Sequence, residues 1–271
     1  MNGASPTFKV ESGVMAQDGP ALPFLLGVPA SVDPATPVAV CVHGVTRNAD
    51  RHFDAFAPLA DAARWMLLVP TFGADDYPDY QRLGQCGRGP RADLSLIELL
   101  RQIRSRFGLL EQAIHLFGHS GGAQFVHRFA MAHPSRVARY AISAAGWYTL
   151  PDATLKYPYG TLGAPFAGDA VALDAFLAIP GIVFVGARDR NDGPTLRRNE
   201  ALDRQQGASR VDRAQRWQRA VNRRALEAGL DTRLGLRQLD DCAHSFSGLV
   251  RRARLHELAW QFLSEPRRID A

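Results

Sequence analysis

Lysine is almost absent from this chain of 271 residues, in which Lys9 and Lys156 are the only two. The formal net charge of +5 therefore depends on arginine, and the arginines are scattered among acidic residues as single positions or pairs. Segments that bind nucleic acids are typically dense basic stretches. We therefore expect no nucleic-acid partner.

Cysteine is scarce as well, since Cys41, Cys86 and Cys242 are widely spaced and form no CxxC pair. This argues against a disulfide framework and against a zinc site. No apolar run reaches the roughly 18 residues of a membrane span, and the N-terminal segment lacks the basic region and apolar stretch of a signal peptide. We expect a cytoplasmic protein with no membrane partner.

Hydrophobic residues make up 46% of the chain, which is enough for a substantial core, and the length suits one domain over residues 1–271. Short apolar runs alternate with helical patterns, which predicts a mostly parallel sheet covered by helices on both faces. Residues 8–12 and 23–29 are candidates for an antiparallel edge. The other strand candidates are 38–42, 65–69, 114–117, 138–145, 181–186 and 232–239.

One serine stands between glycines in the stretch "LFGHSGGA". Its core is Gly-x-Ser-x-Gly, formed by Gly118, Ser120 and Gly122, and it lies between a predicted strand and a predicted helix. A sharp strand-to-helix turn lifts the serine hydroxyl clear of the sheet and leaves no room for side chains on its neighbours. The pattern predicts a nucleophile at Ser120.

A serine hydroxyl becomes nucleophilic when a histidine removes its proton and a carboxylate orients that histidine. Downstream of Ser120, only His244 falls in a predicted loop after a late strand, which makes it the predicted base. The acid is expected after the preceding strand, where Asp189 and Asp192 both occur. Asp189 is favoured because it lies close to the strand end at Gly186, whereas Asp192 sits inside an Asn-Asp-Gly-Pro turn signal.

Val45 and Gly121 are predicted to supply the two N–H groups of an oxyanion hole. The segment "VAVCVHGVT" ends a strand at His43 and Gly44, and the following turn can direct the N–H of Val45 towards the serine. Gly121 stands at the expected start of a helix, where N–H groups have no partner within the helix. His43 precedes the serine, so we expect it to brace its loop rather than to act as the base.

The residues that line the substrate pocket are predicted only from their positions relative to the predicted strands. Trp147 and Tyr148 directly follow the strand 138–145, so we expect them to face the nucleophile. Residues 146–180 are rich in proline, glycine and aromatics, and they predict a small cap or pocket wall. Arg47, Arg51 and Arg188 lie near the expected mouth and are candidates for binding a carboxylate. Tyr157, Tyr159 and Phe166 are candidates for an apolar wall of the pocket.

An ordered series of motifs over about residues 38–264, "HGVT", "GHSGG", "GARD" and "AHSF", resembles the α/β-hydrolase superfamily. Within it, the chain looks most like bacterial esterases of the polyhydroxybutyrate-depolymerase and feruloyl-esterase-like branch. The resemblance implies an α/β-hydrolase fold with an eight-stranded, mostly parallel sheet. It also implies a triad of Ser120, Asp189 and His244 and no cofactor. No metal-ligand spacing such as HExxH occurs.

The leading hypothesis is a serine hydrolase that cleaves a small-molecule carboxylic ester through an acyl-enzyme. An amide or a thioester is a less favoured substrate. One alternative is an acyltransferase, or other α/β-hydrolase chemistry with the same triad. Another is a hydrolase-like binding protein without turnover, which the intact serine, histidine and aspartate disfavour.

Overall fold

An eight-stranded sheet forms the centre of the structure, a computed structural model that describes residues 8–17, 19–84, 89–164, 170–190 and 196–266. The order of the strands across the sheet is β1-β2-β4-β3-β5-β6-β7-β8. Their bounds are β1 Lys9–Gln17, β2 Gly19–Val28, β3 Val38–Val42, β4 Met66–Pro70, β5 Ile114–His119, β6 Val137–Ser143, β7 Gly181–Gly186 and β8 Gly235–Leu239.

The direction of the strands confirms the predicted mostly parallel sheet. β1 and β2 form an antiparallel pair, β2 runs antiparallel to β4, and the remaining neighbours are parallel. Every residue of β3 and β4 is buried. Strands covered on both faces need apolar residues at successive positions, which is why their sequences are continuous apolar runs.

Helices cover both faces of the sheet, as predicted. On one face, Phe56 of α1 packs in the same cluster as Trp260 of α8. On the other face, Phe125 and Phe129 of α3 share a cluster with Trp217 of α6. The helices are α1 Ala49–Ala63, α2 Ala92–Phe107, α3 Gly121–Ala132, α4 Ala170–Leu177, α5 Glu200–Gln206, α6 Arg210–Glu227, α7 Phe246–Ala253 and α8 Leu255–Ser264.

The predicted insertion contains a helix as well as irregular chain. Residues 146–164 form turns, bends and irregular chain with one isolated bridge between Lys156 and Leu162. The helix α4 follows the undescribed residues 165–169. Phe176 of α4 stacks on Tyr140 of β6, so this helix covers the sheet. The function of the insertion as a cap stays a prediction.

Parallel strands place their carboxyl ends at one edge of the sheet, and the candidate catalytic residues follow three of these ends. Ser120 comes directly after β5, Asp189 after β7 and His244 after β8. The last two loops touch, since the backbone N–H of Arg188 donates to the carbonyl oxygen of Cys242 at 2.9 Å. The sheet thus brings together residues that are far apart in sequence.

Gly122 is a position where the packing of α3 against β3 admits no side chain. A Cβ atom there would lie 2.0 Å from the carbonyl oxygen of Val42 and 2.6 Å from that of His43, and both contacts are backbone atoms that cannot move aside. We expect Gly122→Ala to lower the free energy of unfolding by about 1–3 kcal/mol, as overpacking does. Urea unfolding would measure the change.

Gly19→Ala is the matched control, because a Cβ atom at Gly19 would meet nothing within 4 Å. It should change the free energy of unfolding by less than about 0.5 kcal/mol. Equal stability of the two variants would contradict the close approach of α3 to β3.

Candidate active site

Ser120 occupies a strained turn between β5 and α3. Its backbone angles are φ 56° and ψ −111°, a conformation that residues with side chains rarely adopt. Its N–H donates to the carbonyl oxygen of Ser143 at 2.8 Å, which ties the turn to β6. A Cβ atom at Gly118 would lie 2.4 Å from the carbonyl oxygen of Gly122. The turn therefore requires its flanking glycines.

The structure brings Ser120, His244 and Asp189 into one chain of hydrogen bonds. The hydroxyl oxygen of Ser120 lies 3.0 Å from His244 Nε2, and His244 Nδ1 lies 2.9 Å from Asp189 Oδ2. A carboxylate can only accept, so Nδ1 carries the proton and Nε2 is left to accept from the serine hydroxyl. This arrangement matches what a nucleophile and its base need. The alternative acid, Asp192, lies outside the described residues.

Sequence reasoning missed Arg210, which binds the other oxygen of Asp189. Its Nη1 donates to Asp189 Oδ1 at 3.0 Å, and only 1% of the residue is exposed. Arg210 is the first residue of α6, so no local motif links it to the loop after β7. Only the packing of α6 against β7 reveals this contact.

The peptide groups of Val45 and Gly121 lie side by side next to Ser120. A Cβ atom at Gly121 would lie 3.1 Å from the backbone nitrogen of Val45. Gly121 begins α3, so its N–H has no partner within the helix. The two amides therefore lie close to each other beside Ser120. Whether they stabilise an oxyanion is a functional prediction.

His43 holds the loop before Val45 in place. Burial lowers its pKa to about 4, so the ring is neutral near pH 7. Its Nε2 accepts from the N–H of Phe72 at 3.0 Å, which leaves Nδ1 to donate to the carbonyl oxygen of Gly44 at 2.8 Å. Tyr80, another residue that sequence reasoning did not single out, donates its hydroxyl to the His43 carbonyl oxygen at 2.8 Å.

A cavity of about 200 Å³ opens beside Ser120. Among the described residues, Arg51 is the only arginine or lysine that lines it, and no acidic residue does. His52 and His119 line it in the neutral form near pH 7, because burial lowers the pKa of His52 to about 4 and that of His119 well below its usual value. The remaining lining residues are Gly44, Val45, Thr46, Asn48, His244, Ser245, Phe246 and Ser247.

Trp147 and Tyr148 do not line this cavity, contrary to their expected place. Tyr148 is fully buried and stacks on Trp217 with ring centroids 4.7 Å apart. The guanidinium of Arg128 lies 4.4 Å from the centre of the Trp147 ring. Both aromatic side chains pack the chain after β6 against α3 and α6.

Arg47 is also placed elsewhere, because its guanidinium donates to the carbonyl oxygens of Phe72 and Val45 at 2.9 Å and 2.8 Å. Arg188 is exposed and forms an ion pair with Asp241. Among the candidates for a carboxylate site, only Arg51 borders the cavity. Of the other aromatic candidates, Tyr157 and Tyr159 do not line it, and Phe166 lies outside the described residues.

In the described part of the chain, no helix is long and apolar enough to span a membrane. The same residues contain no group of three or more histidine, cysteine, aspartate or glutamate side chains placed to hold a metal ion.

Several solved structures similar to this chain are hydrolases. Poly(aspartic acid) hydrolase-1 from Sphingomonas sp. KT-1 is 30% identical, with a TM-score of 0.80 over 93% of this chain and 98% of that one. A poly(3-hydroxybutyrate) depolymerase from Bordetella parapertussis is 25% identical, with a TM-score of 0.78 over 93% of this chain and 94% of that one. No protein-family model matches the sequence, and neither does any curated protein.

A more distant similarity concerns the fold alone. An S-formylglutathione hydrolase from Agrobacterium tumefaciens is 15% identical, with a TM-score of 0.59 over 95% of this chain and 97% of that one. The same arrangement of strands and helices therefore persists where little of the sequence is shared.

The buried histidines predict how stability depends on pH. The pKa of His43 and of His52 is about 4 in the folded protein, against 6.5 normally, because burial disfavours the charged ring. The unfolded chain therefore binds protons first. Stability that is present above pH 6.5 should be lost as the pH falls towards 4, by up to about 3 kcal/mol for each histidine.

Urea unfolding at pH 7.0, 5.5 and 4.5 would measure this loss. Carboxylates titrate in the same range, so His52→Gln serves as the comparison because its side chain is neutral throughout. We expect a shallower fall of stability with pH in this variant. If the free energy of unfolding of His52→Gln fell with pH as steeply as that of the wild type, the contribution of His52 would be contradicted.

Proposed function

Because the chain belongs to the α/β-hydrolase superfamily, we propose that it is a serine hydrolase that cleaves carboxylic esters through a covalent acyl-enzyme. The observation that carries this proposal is the hydrogen-bonded chain from Ser120 through His244 to Asp189. The similarity to a poly(3-hydroxybutyrate) depolymerase supports the same class of reaction.

In the first half of the reaction, His244 Nε2 takes the proton of the Ser120 hydroxyl, which lies 3.0 Å away. The serine oxygen then attacks the acyl carbon, and the N–H groups of Val45 and Gly121 bind the oxyanion that forms. Asp189 holds the ring with the proton on Nδ1 and stabilises the charged imidazolium. The C–O bond to the alcohol breaks, and His244 returns the proton to the leaving oxygen.

In the second half, water takes the place of the alcohol. His244 removes a proton from the water as it attacks the acyl carbon, and the acid is released when Ser120 regains its proton. The two half-reactions together consume only the ester and water, so the proposal includes no cofactor.

Labelling with a fluorophosphonate tests the nucleophile. We expect covalent labelling of the wild-type protein and none of Ser120→Ala, since the probe reacts with an activated serine. Turnover of a simple aryl ester by His244→Ala should fall about 10⁴-fold or more in kcat, because the serine loses its base. Mass spectrometry of the labelled peptide and steady-state kinetics are the measurements.

Ser247→Ala is the control, because Ser247 lines the same cavity and also carries a hydroxyl. It should be labelled as the wild type is. Labelling that survived in folded Ser120→Ala, or that disappeared in Ser247→Ala alone, would contradict the assignment of the nucleophile.

Arg51 favours a substrate that carries a carboxylate near the bond to be cleaved. Its Nη1 donates to the hydroxyl of Ser247 at 3.0 Å, and no acidic partner for it is present among the described residues. The similar protein from Sphingomonas is named for hydrolysis of poly(aspartic acid), a polymer of carboxylates. The second candidate function is therefore cleavage of an amide or ester bond in an acidic substrate by the same triad.

A pair of esters tests this candidate, one a half-ester of succinic acid and the other its uncharged methyl diester. In Arg51→Gln, we expect the ratio of kcat/KM for the charged over the uncharged ester to fall about tenfold, the effect of losing one charged hydrogen bond. Arg188→Gln is the control, because Arg188 is exposed and lies outside the cavity. An equal loss on both esters in Arg51→Gln would contradict a carboxylate site.

A further inference from the structure

A buried arginine, Arg210, extends the hydrogen-bonded series Ser120–His244–Asp189 by binding Asp189. The two oxygens of Asp189 are divided between two partners, His244 Nδ1 at 2.9 Å on Oδ2 and Arg210 Nη1 at 3.0 Å on Oδ1. Asp189 is 7% exposed and Arg210 1%. In such a site, charges interact much more strongly than they do in water. The carboxylate that faces His244 is therefore already paired with a cation.

The start of α6 supports the position of Arg210. Ser209 caps the helix, because its hydroxyl accepts from the N–H of Asp212 at 3.1 Å and its own N–H donates to the Asp212 carboxylate at 3.2 Å. This reciprocal pair is a capping box, and it fixes the first turn of the helix. The guanidinium thus reaches Asp189 from a well-anchored backbone.

We propose that Arg210 is a positioning residue that sets the pH range in which His244 works as a base, by holding Asp189 and offsetting part of its negative charge. The proposal rests on the proposed function. The lone Asp189 charge would favour the protonated imidazolium strongly, and a nearby cation opposes this effect. His244 then remains an unprotonated base to lower pH than it would beside an unpaired carboxylate.

The other described groups around His244 are either neutral near pH 7 or exposed to solvent. The His119 ring lies 5.1 Å from the His244 ring, and burial lowers its pKa well below the usual value, so it is neutral. Tyr148 is protonated, because burial raises its pKa and the Asp189 charge raises it further. Arg51 lines the same cavity but is exposed to solvent. Among the described residues that interact with His244, Asp189 and Arg210 thus form the buried ion pair next to the base.

Arg210→Gln removes the positive charge and keeps a hydrogen-bond donor. The acidic limb of the kcat/KM profile should move to higher pH by about one unit, because the imidazolium is then stabilised by an uncompensated carboxylate. In Arg210→Lys the charge remains, so the limb should stay near its wild-type position while kcat falls, since one ammonium holds the carboxylate less firmly than a planar guanidinium.

Arg213→Gln is the matched control for general disruption of α6. Arg213 lies one turn further along the same helix, is fully buried, and donates to the carbonyl oxygen of Gly207 at 2.9 Å, to that of Gly146 and to Asp203. It makes no bond to Asp189. Its loss should lower the melting temperature without moving the acidic limb.

A measurement that does not depend on turnover separates this proposal from the proposed function. The proton on His244 Nδ1, shared with Asp189, gives a far-downfield proton NMR signal that reports protonation of the ring. Its titration midpoint should rise by about one pH unit in Arg210→Gln and stay in place in Arg213→Gln. If the fluorophosphonate labels Ser120 of the wild type but Arg210→Gln shows no such shift, the role of Arg210 is overturned and the serine-hydrolase assignment stands.

A shift of the midpoint in a protein that the fluorophosphonate does not label would uphold the coupling of Arg210 to His244 and overturn the serine-hydrolase assignment. If Arg210→Gln fails to fold, the titration of Arg210→Lys tests the proposal instead. A midpoint in Arg210→Lys that rises by about one unit, although the positive charge is kept, would overturn the proposal.

Discussion

The position of Ser120 depends on the close approach of α3 to the backbone of β3. The Gly122 Cα lies so near the carbonyl oxygens of Val42 and His43 that no side chain fits between them. In the turn just before this close approach, Ser120 has a positive φ. The strain is sustained by the buried sheet on one side and the packed helix on the other. Everything else in the candidate site is arranged around the hydroxyl that this turn presents.

Buried arginines bind the segments that surround this turn. This is a structural reason why the chain uses arginine where lysine is scarce. Arg128, Arg210 and Arg213 are almost fully buried. Each binds at least one group outside its own helix: Arg128 the Thr149 hydroxyl, Arg213 the Gly146 carbonyl oxygen, and Arg210 the Asp189 carboxylate. A guanidinium offers five donors in a plane and stays charged, whereas an ammonium is more strongly hydrated. The excess of arginine is therefore partly internal and is a poor guide to a charged surface.

The fold and the order of the candidate catalytic residues were accessible from the sequence because they depend on local patterns. Continuous apolar runs predict strands buried on both faces, and the glycines around Ser120 predict the turn. The expected places of Trp147, Tyr148 and Arg47 were different, because a sequence shows that an aromatic or cationic side chain is near an element but not which way it turns. In the structure, Trp217 stacks on Tyr148 and Arg128 lies over Trp147.

The sequence by itself determined the alternation of strands and helices, the turn at Ser120, and the loop positions of His244 and Asp189. Each of these follows from the spacing of apolar residues or from backbone conformations that only a few residue types allow. Only the tertiary structure decided that Arg51 faces the cavity and that Arg210 binds Asp189. Both contacts join elements distant along the chain, so they depend on how helices pack on the sheet, and no local pattern of residues records that packing.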